Sequence, residues 1–225
     1  VKAFQKALDE SLATIGAEEL DICYYKAQAQ YMAGDTDGAL ETYTALIDYD
    51  KKNADAYYLR GSLYLLEGDS KKALADYASA VKNDDTNYDL YSQAYSDLTD
   101  AGMTDEAKQY LEDAVKISGK DAKDYTMRGK AYALLGDYDK AAEQLDKAVE
   151  LKSDDAILYR AQVYDAQGDS DNAQSLYEEY VKTNKDNPAA LGSLGSMLLE
   201  SGKYDEALTY IQAALASDEV EDEQN

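Results

Sequence analysis

Residues 34–39 read Gly-Asp-Thr-Asp-Gly-Ala, and the spacing of those two carboxylates is where chemistry would first be sought. Alternating acidic ligands followed by a glycine open a calcium loop, which needs oxygen donors at positions 1, 3 and 5, glycine at 6 and glutamate at 12. With Gly38 at position 6, position 1 falls on Ala33 and position 12 on Thr44. Both ends of the ligand set are missing, so the stretch reads as a turn. The chain has no histidine and a single cysteine, Cys23, which excludes zinc sites, Ser-His and Cys-His nucleophile systems and an intramolecular disulfide. Forty-six carboxylates make so many chance pairs that no glycosidase-like acid and base can be singled out. No cofactor, no metal and no enzymatic activity are expected.

The elements that must position any functional residue emerge from a repeat. The hexamer recurs as Gly-Asp-Ser-Lys-Lys-Ala at 68, Gly-Met-Thr-Asp-Glu-Ala at 102, Gly-Asp-Tyr-Asp-Lys-Ala at 136, Gly-Asp-Ser-Asp-Asn-Ala at 168 and Gly-Lys-Tyr-Asp-Glu-Ala at 202. The glycines lie 34, 34, 34, 32 and 34 residues apart, a period that signals a stacked helical solenoid. Apolar residues recur at helical spacing on both sides of each glycine. Gly68 then ends one helix in the left-handed conformation and Asp69 caps the next. Met103 and Lys203 replace the aspartate in two copies, which leaves Thr104 as the expected cap in one and none in the other.

With Ala54 as position 1, large and small residues alternate at positions 4, 8, 11, 20, 24 and 27 as Tyr57, Gly61, Tyr64, Ala73, Tyr77 and Ala80. Position 20 is alanine in all six copies: Ala39, Ala73, Ala107, Ala141, Ala173 and Ala207. This pattern resembles the tetratricopeptide repeat (TPR) family. The resemblance implies an all-α, right-handed superhelical solenoid of antiparallel helix pairs over residues 1–217. Its expected parts are a partial repeat at 1–13, repeats at 20–53, 54–87, 88–121, 122–153, 154–187 and 188–217, and an acidic flexible tail at 218–225. The family's proline at position 32 is absent throughout, so looser turns between repeats are expected. Gln30 and Leu46 in the first copy and Tyr95 in the third depart from the size pattern and mark the repeats expected to be distorted.

The resemblance also places a binding surface. In this family positions 2, 5, 6, 9, 12 and 13 of the first helices line a concave groove. Here they include Tyr24, Tyr25, Gln28 and Tyr31 in the first copy, and Tyr58, Leu59, Ser62 and Leu65 in the second. Gln93 and Ser96 follow in the third, Lys123, Met127 and Lys130 in the fourth, and Tyr159 and Gln162 in the fifth. The function implied is a non-enzymatic scaffold binding a peptide or protein segment, with homo-oligomerisation through terminal repeats as the alternative. Some relatives hold a partner's C-terminal carboxylate with lysines and asparagines. Tyr24, Tyr58, Gln28 and Ser62 stand at those positions, with Lys123 alone in a clamp-like place, so that mode is not expected. Arg60, Arg128 and Arg160, all at position 7, are expected to lie over tyrosines and reach carboxylates.

Charge narrows the partner. A formal net charge of −24 repels phosphate backbones and anionic lipids, so nucleic acid is not expected and a neutral or basic protein segment is. No run of 18 apolar residues is present, so no membrane insertion is expected. The chain starts at Val1 rather than methionine, which suggests an exported or cell-surface bacterial protein with its leader removed, a cytoplasmic chain being the other reading.

Overall fold

Backbone conformation explains why the hexamer glycines recur. The computed structural model describes residues 17–222, with the side chains of residues 20–217. Gly34, Gly68, Gly102, Gly136, Gly168 and Gly202 have φ between 75° and 82°, a region that costs glycine little. A Cβ built on any of them would meet no atom within 4 Å, so conformation and not space demands the glycine. The residue after each glycine donates its N–H to the carbonyl five residues back, as Asp35 does to Gln30 and Asp69 to Tyr64, both at 2.8 Å. The first helix ends there. The Asp35 carboxylate then accepts the N–H of Gly38 at 3.0 Å, and that of Asp69 the N–H of Lys72 at 3.2 Å, capping the second helix.

One expected cap is corrected. Met103 donates to the Leu98 carbonyl and accepts from the Ala107 N–H, so Thr104 is the first helical residue and Met103 holds the cap position. The glycine fixes the register whatever side chain follows it.

Among the described residues there are twelve helices and no strand. They are α1 (Ala17–Met32), α2 (Thr36–Tyr49), α3 (Ala54–Leu66), α4 (Ser70–Asn83), α5 (Tyr88–Asp100) and α6 (Thr104–Ala114). The order continues with α7 (Ala122–Leu134), α8 (Tyr138–Glu150), α9 (Asp154–Ala166), α10 (Ser170–Thr183), α11 (Pro188–Glu200) and α12 (Tyr204–Asp222). The chain divides into unit 1, Val1–Tyr110, and unit 2, Leu111–Asn225, the division falling inside α6. The acidic stretch after residue 217 continues α12 as helix to Asp222, since its aspartates, glutamates and valine contain no helix breaker. The partial repeat expected at 1–13 lies outside the described residues.

Close packing of paired helices accounts for the small residues. The alanine of every hexamer is buried. A Cβ on Gly61 would lie 3.0 Å from the Tyr77 ring, and one on Gly129 only 2.5 Å from Leu145 Cγ. In unit 1 one core gathers Ala27, Tyr43, Leu46 and Ile47, with Cys23 packed among them as a small hydrophobe. A second gathers Ala73, Tyr77, Ala94, Leu98 and Ala107, with Tyr95 against its edge. Unit 2 has its own cores, around Leu145 and Val163 and around Tyr177, Leu194 and Leu198. In the first copy Gln30 is accommodated because its side-chain oxygen accepts the Thr42 hydroxyl at 2.7 Å. The third copy is the irregular one: α6 has 11 residues against 14 in α2 and α4.

The turns between repeats are closed by a device that the missing proline does not announce. Side-chain oxygens of Asn53, Ser153 and Asn187 accept the N–H groups of Ala56, Ala156 and Ala190 at 2.9, 3.3 and 2.9 Å. Asn87 accepts from Asp89, while Asp121 and Asp124 cap one another's backbone in a reciprocal capping box. The turn after the shortened fourth copy is made by Lys152 at φ 65°, with the Ser153 N–H donating to Ala148 at 3.0 Å.

Candidate functional site

The first helices of unit 1 present two classes of tyrosine. Tyr24 is half-buried and donates to Asn53 Oδ1 at 2.7 Å, which ties it to the cap of α3. Burial, offset in part by that bond, raises its pKa. Tyr58 is half-buried too. Its ring stacks on Tyr77 with centroids 5.6 Å apart, and its hydroxyl donates to Asp97 Oδ2 at 3.1 Å. Leu59 and Leu65 pack against the two cores, and Ser62 is half-buried. By contrast Tyr25 is 70% exposed, Met32 80% and Leu66 66%, while Gln28, Tyr31, Gln93 and Ser96 also face solvent.

The first helices of unit 2 carry a more polar set. Lys123 and Gln162 are exposed, and Met127, Lys130 and Tyr159 are half-buried. Lys130 Nζ lies 5.3 Å from the centre of the Tyr159 ring, within cation–π range.

The arginines at position 7 behave as packing elements with differing partners. Arg60 makes a two-pronged ion pair with buried Asp76 at 2.7 and 2.8 Å, donates to Thr44 at 3.0 Å and lies between the Tyr57 and Tyr64 rings. Its hydrogen bonds to Asp76 raise its pKa. Arg160 lies 4.0 Å over Tyr164 and reaches Asp146 at 2.9 Å. Arg128 adds backbone and amide acceptors to this set. It lies over Tyr125 and donates to the carbonyls of Ile117 and Gly119 at 2.7 and 2.8 Å and to Gln144 at 3.2 Å, because the chain leaving the short α6 brings unpaired carbonyls beside it.

One polar group in unit 1 escapes the repeat pattern. Asp97, on α5, accepts at a single oxygen, Oδ2, from Tyr58 and from Tyr77, the latter at 2.7 Å. Burial comes first in raising both tyrosine pKa values, and the Asp97 charge and hydrogen bonds add to it. The protonated phenols are thereby held as donors. Position 10, where Asp97 sits, is Leu63 or Val163 in other copies, so an acid at an otherwise apolar position was the available signal.

Comparison with known proteins now bears on this arrangement. Tetratricopeptide repeat family models match residues 24–88 and 158–222, and a further one matches residues 122–155. The chain belongs to the tetratricopeptide repeat family. None of the curated proteins compared matches it. Among solved structures, this TPR protein is similar to one from Parabacteroides merdae at 19% identity, over 89% of this chain and 80% of that one, with a TM-score of 0.61. It is also similar to Pseudomonas aeruginosa PilF at 18% identity, over 86% and 89% of the two chains, with a TM-score of 0.54. A thermophilic TPR protein of Thermus thermophilus follows at 23% identity, over 80% and 99%, with a TM-score of 0.52. At these identities the likeness is one of fold. TPR proteins are typically mediators of protein interaction and generally non-enzymatic scaffolds.

Proposed function

We propose that the chain is a non-enzymatic scaffold whose first helices in unit 1 bind a neutral or basic peptide segment. The observation that carries the reading is the outward exposure of Tyr25, Met32 and Leu66 at groove positions, while the residues facing the helix-pair cores are buried. Large amphipathic and thioether side chains supply contact area at modest ordering cost, which suits peptide capture. Tyr24 and Tyr58 support that surface from beneath, since their hydroxyls are already engaged. In unit 2, Lys123, Met127, Lys130, Tyr159 and Gln162 form the corresponding polar surface.

The test is a random dodecapeptide display library panned on the full chain. Selected peptides are expected to lose about tenfold or more in affinity on Tyr25→Ala or Leu66→Ala, both exposed changes that leave the melting temperature unaltered. Peptides that bind both variants as tightly as the wild type would remove the groove assignment.

A further inference from the structure

We propose that Asp97, fixed by Tyr58 and Tyr77 where α3 packs on α5, is the recognition point for a lysine or arginine side chain of the bound peptide. The inference rests on the groove reading above and adds the chemistry of one anchor. Two buried or half-buried carboxylates of unit 1 make the contrast. Asp76 is fully matched by the two-pronged Arg60 pair. Asp97 is half-buried, yet its partners are two neutral phenols, and among the described residues no lysine or arginine pairs with it.

A carboxylate drawn partly out of water gains strongly from a cationic donor. Both phenols bond to Oδ2, which leaves Oδ1 with its lone pairs for a further donor. They also fix the carboxylate before a ligand arrives, so little ordering cost remains to binding. The half-buried Tyr58 ring stands beside it, stacked on Tyr77, and keeps the carboxylate in place. The wider surface agrees in sign. Among the described side chains, helices α1, α3 and α5 hold Asp21, Asp55, Asp89, Asp97 and Asp100 against only Lys26 and Arg60, and Arg60 is committed to Asp76. Leu66, exposed at the C-terminal end of α3, gives that helix an apolar surface for an aliphatic residue of the peptide.

The library-selected peptides supply the probe. Selections on wild type are expected to converge on a lysine or arginine next to an aliphatic residue. In 0.15 M NaCl such a peptide should lose about tenfold or more on Asp97→Asn and less than about twofold on Asp55→Asn, which removes the same charge elsewhere on α3. The asparagine oxygen can still accept from both phenols, so the fold is retained. An Nε-acetylated lysine peptide on unaltered protein should show the same loss without touching the fold. Equal binding to wild type and Asp97→Asn, or an acetylated peptide that binds undiminished, would overturn the cation site while a dependence on Tyr25 kept the groove. Peptides indifferent to Tyr25, Leu66 and Asp97 alike would overturn both.

Discussion

At the scale of single residues, the smallest side chains carry the tightest constraints. A Cβ on Gly129 would approach Leu145 Cγ to 2.5 Å, and Leu145 is fully buried with no room to withdraw. Gly129→Ala gains about 1 kcal/mol of helix propensity but overpacks this contact, and a net loss of about 1–2 kcal/mol in urea unfolding is expected. A gain would show that the two helices of that repeat can separate. Tyr77 carries a pH dependence of definite sign. Its folded pKa is raised by burial and by Asp97, so the stability it contributes is full below the unfolded value of about 10 and is lost as pH rises beyond it toward the folded value. Tyr77→Phe should lower stability near neutral pH by about 1–2 kcal/mol and flatten the fall between about pH 10 and 12. Parallel denaturation curves for the two proteins over that range would refute the coupling. The alanine of each hexamer was readable from sequence, but Asp97 was not, because its meaning depends on two hydroxyls from other helices.

At the scale of elements, helix ends divide into those the sequence announces and those it conceals. The Gly-Asp hexamer states both a stop and a start, and each glycine has the positive φ that this reading requires. The caps at Asn53, Asn87, Asp121, Ser153 and Asn187 are plain only when the helix starts are known, since asparagine and aspartate are frequent in this chain. Lys152 is the exception to the glycine rule, a lysine at φ 65° in the shortened turn after α8. A left-handed non-glycine residue costs about 1–2 kcal/mol, part of which glycine returns as chain entropy on unfolding. Lys152→Gly is therefore expected to stabilise the chain by about 0.5–1 kcal/mol, read from the urea midpoint; a drop in midpoint would mean that the lysine stem contributes more by packing than its backbone costs.

At the scale of the whole molecule, charge and exposure act together. A net charge of −24 sets most pairs of surface groups against one another. Ion pairs such as Lys51 with Asp48 and Lys140 with Asp137 are exposed and contribute little. Raising NaCl from about 0.01 to about 1 M shortens the Debye length from about 30 to about 3 Å, so the melting temperature should rise. A fall would place more stability in attractive pairs than in repulsion. The sequence by itself determined the all-helical repeat, its period and its small-residue contacts, because these follow from local backbone preference and a side-chain size pattern that returns every turn of the array. Tertiary structure decided which of the first-helix tyrosines stay exposed and which are locked by hydrogen bonds, and it brought Asp97 to Tyr58 and Tyr77 from 39 and 20 residues away. Those outcomes depend on where neighbouring helices come to lie, which no single repeat encodes.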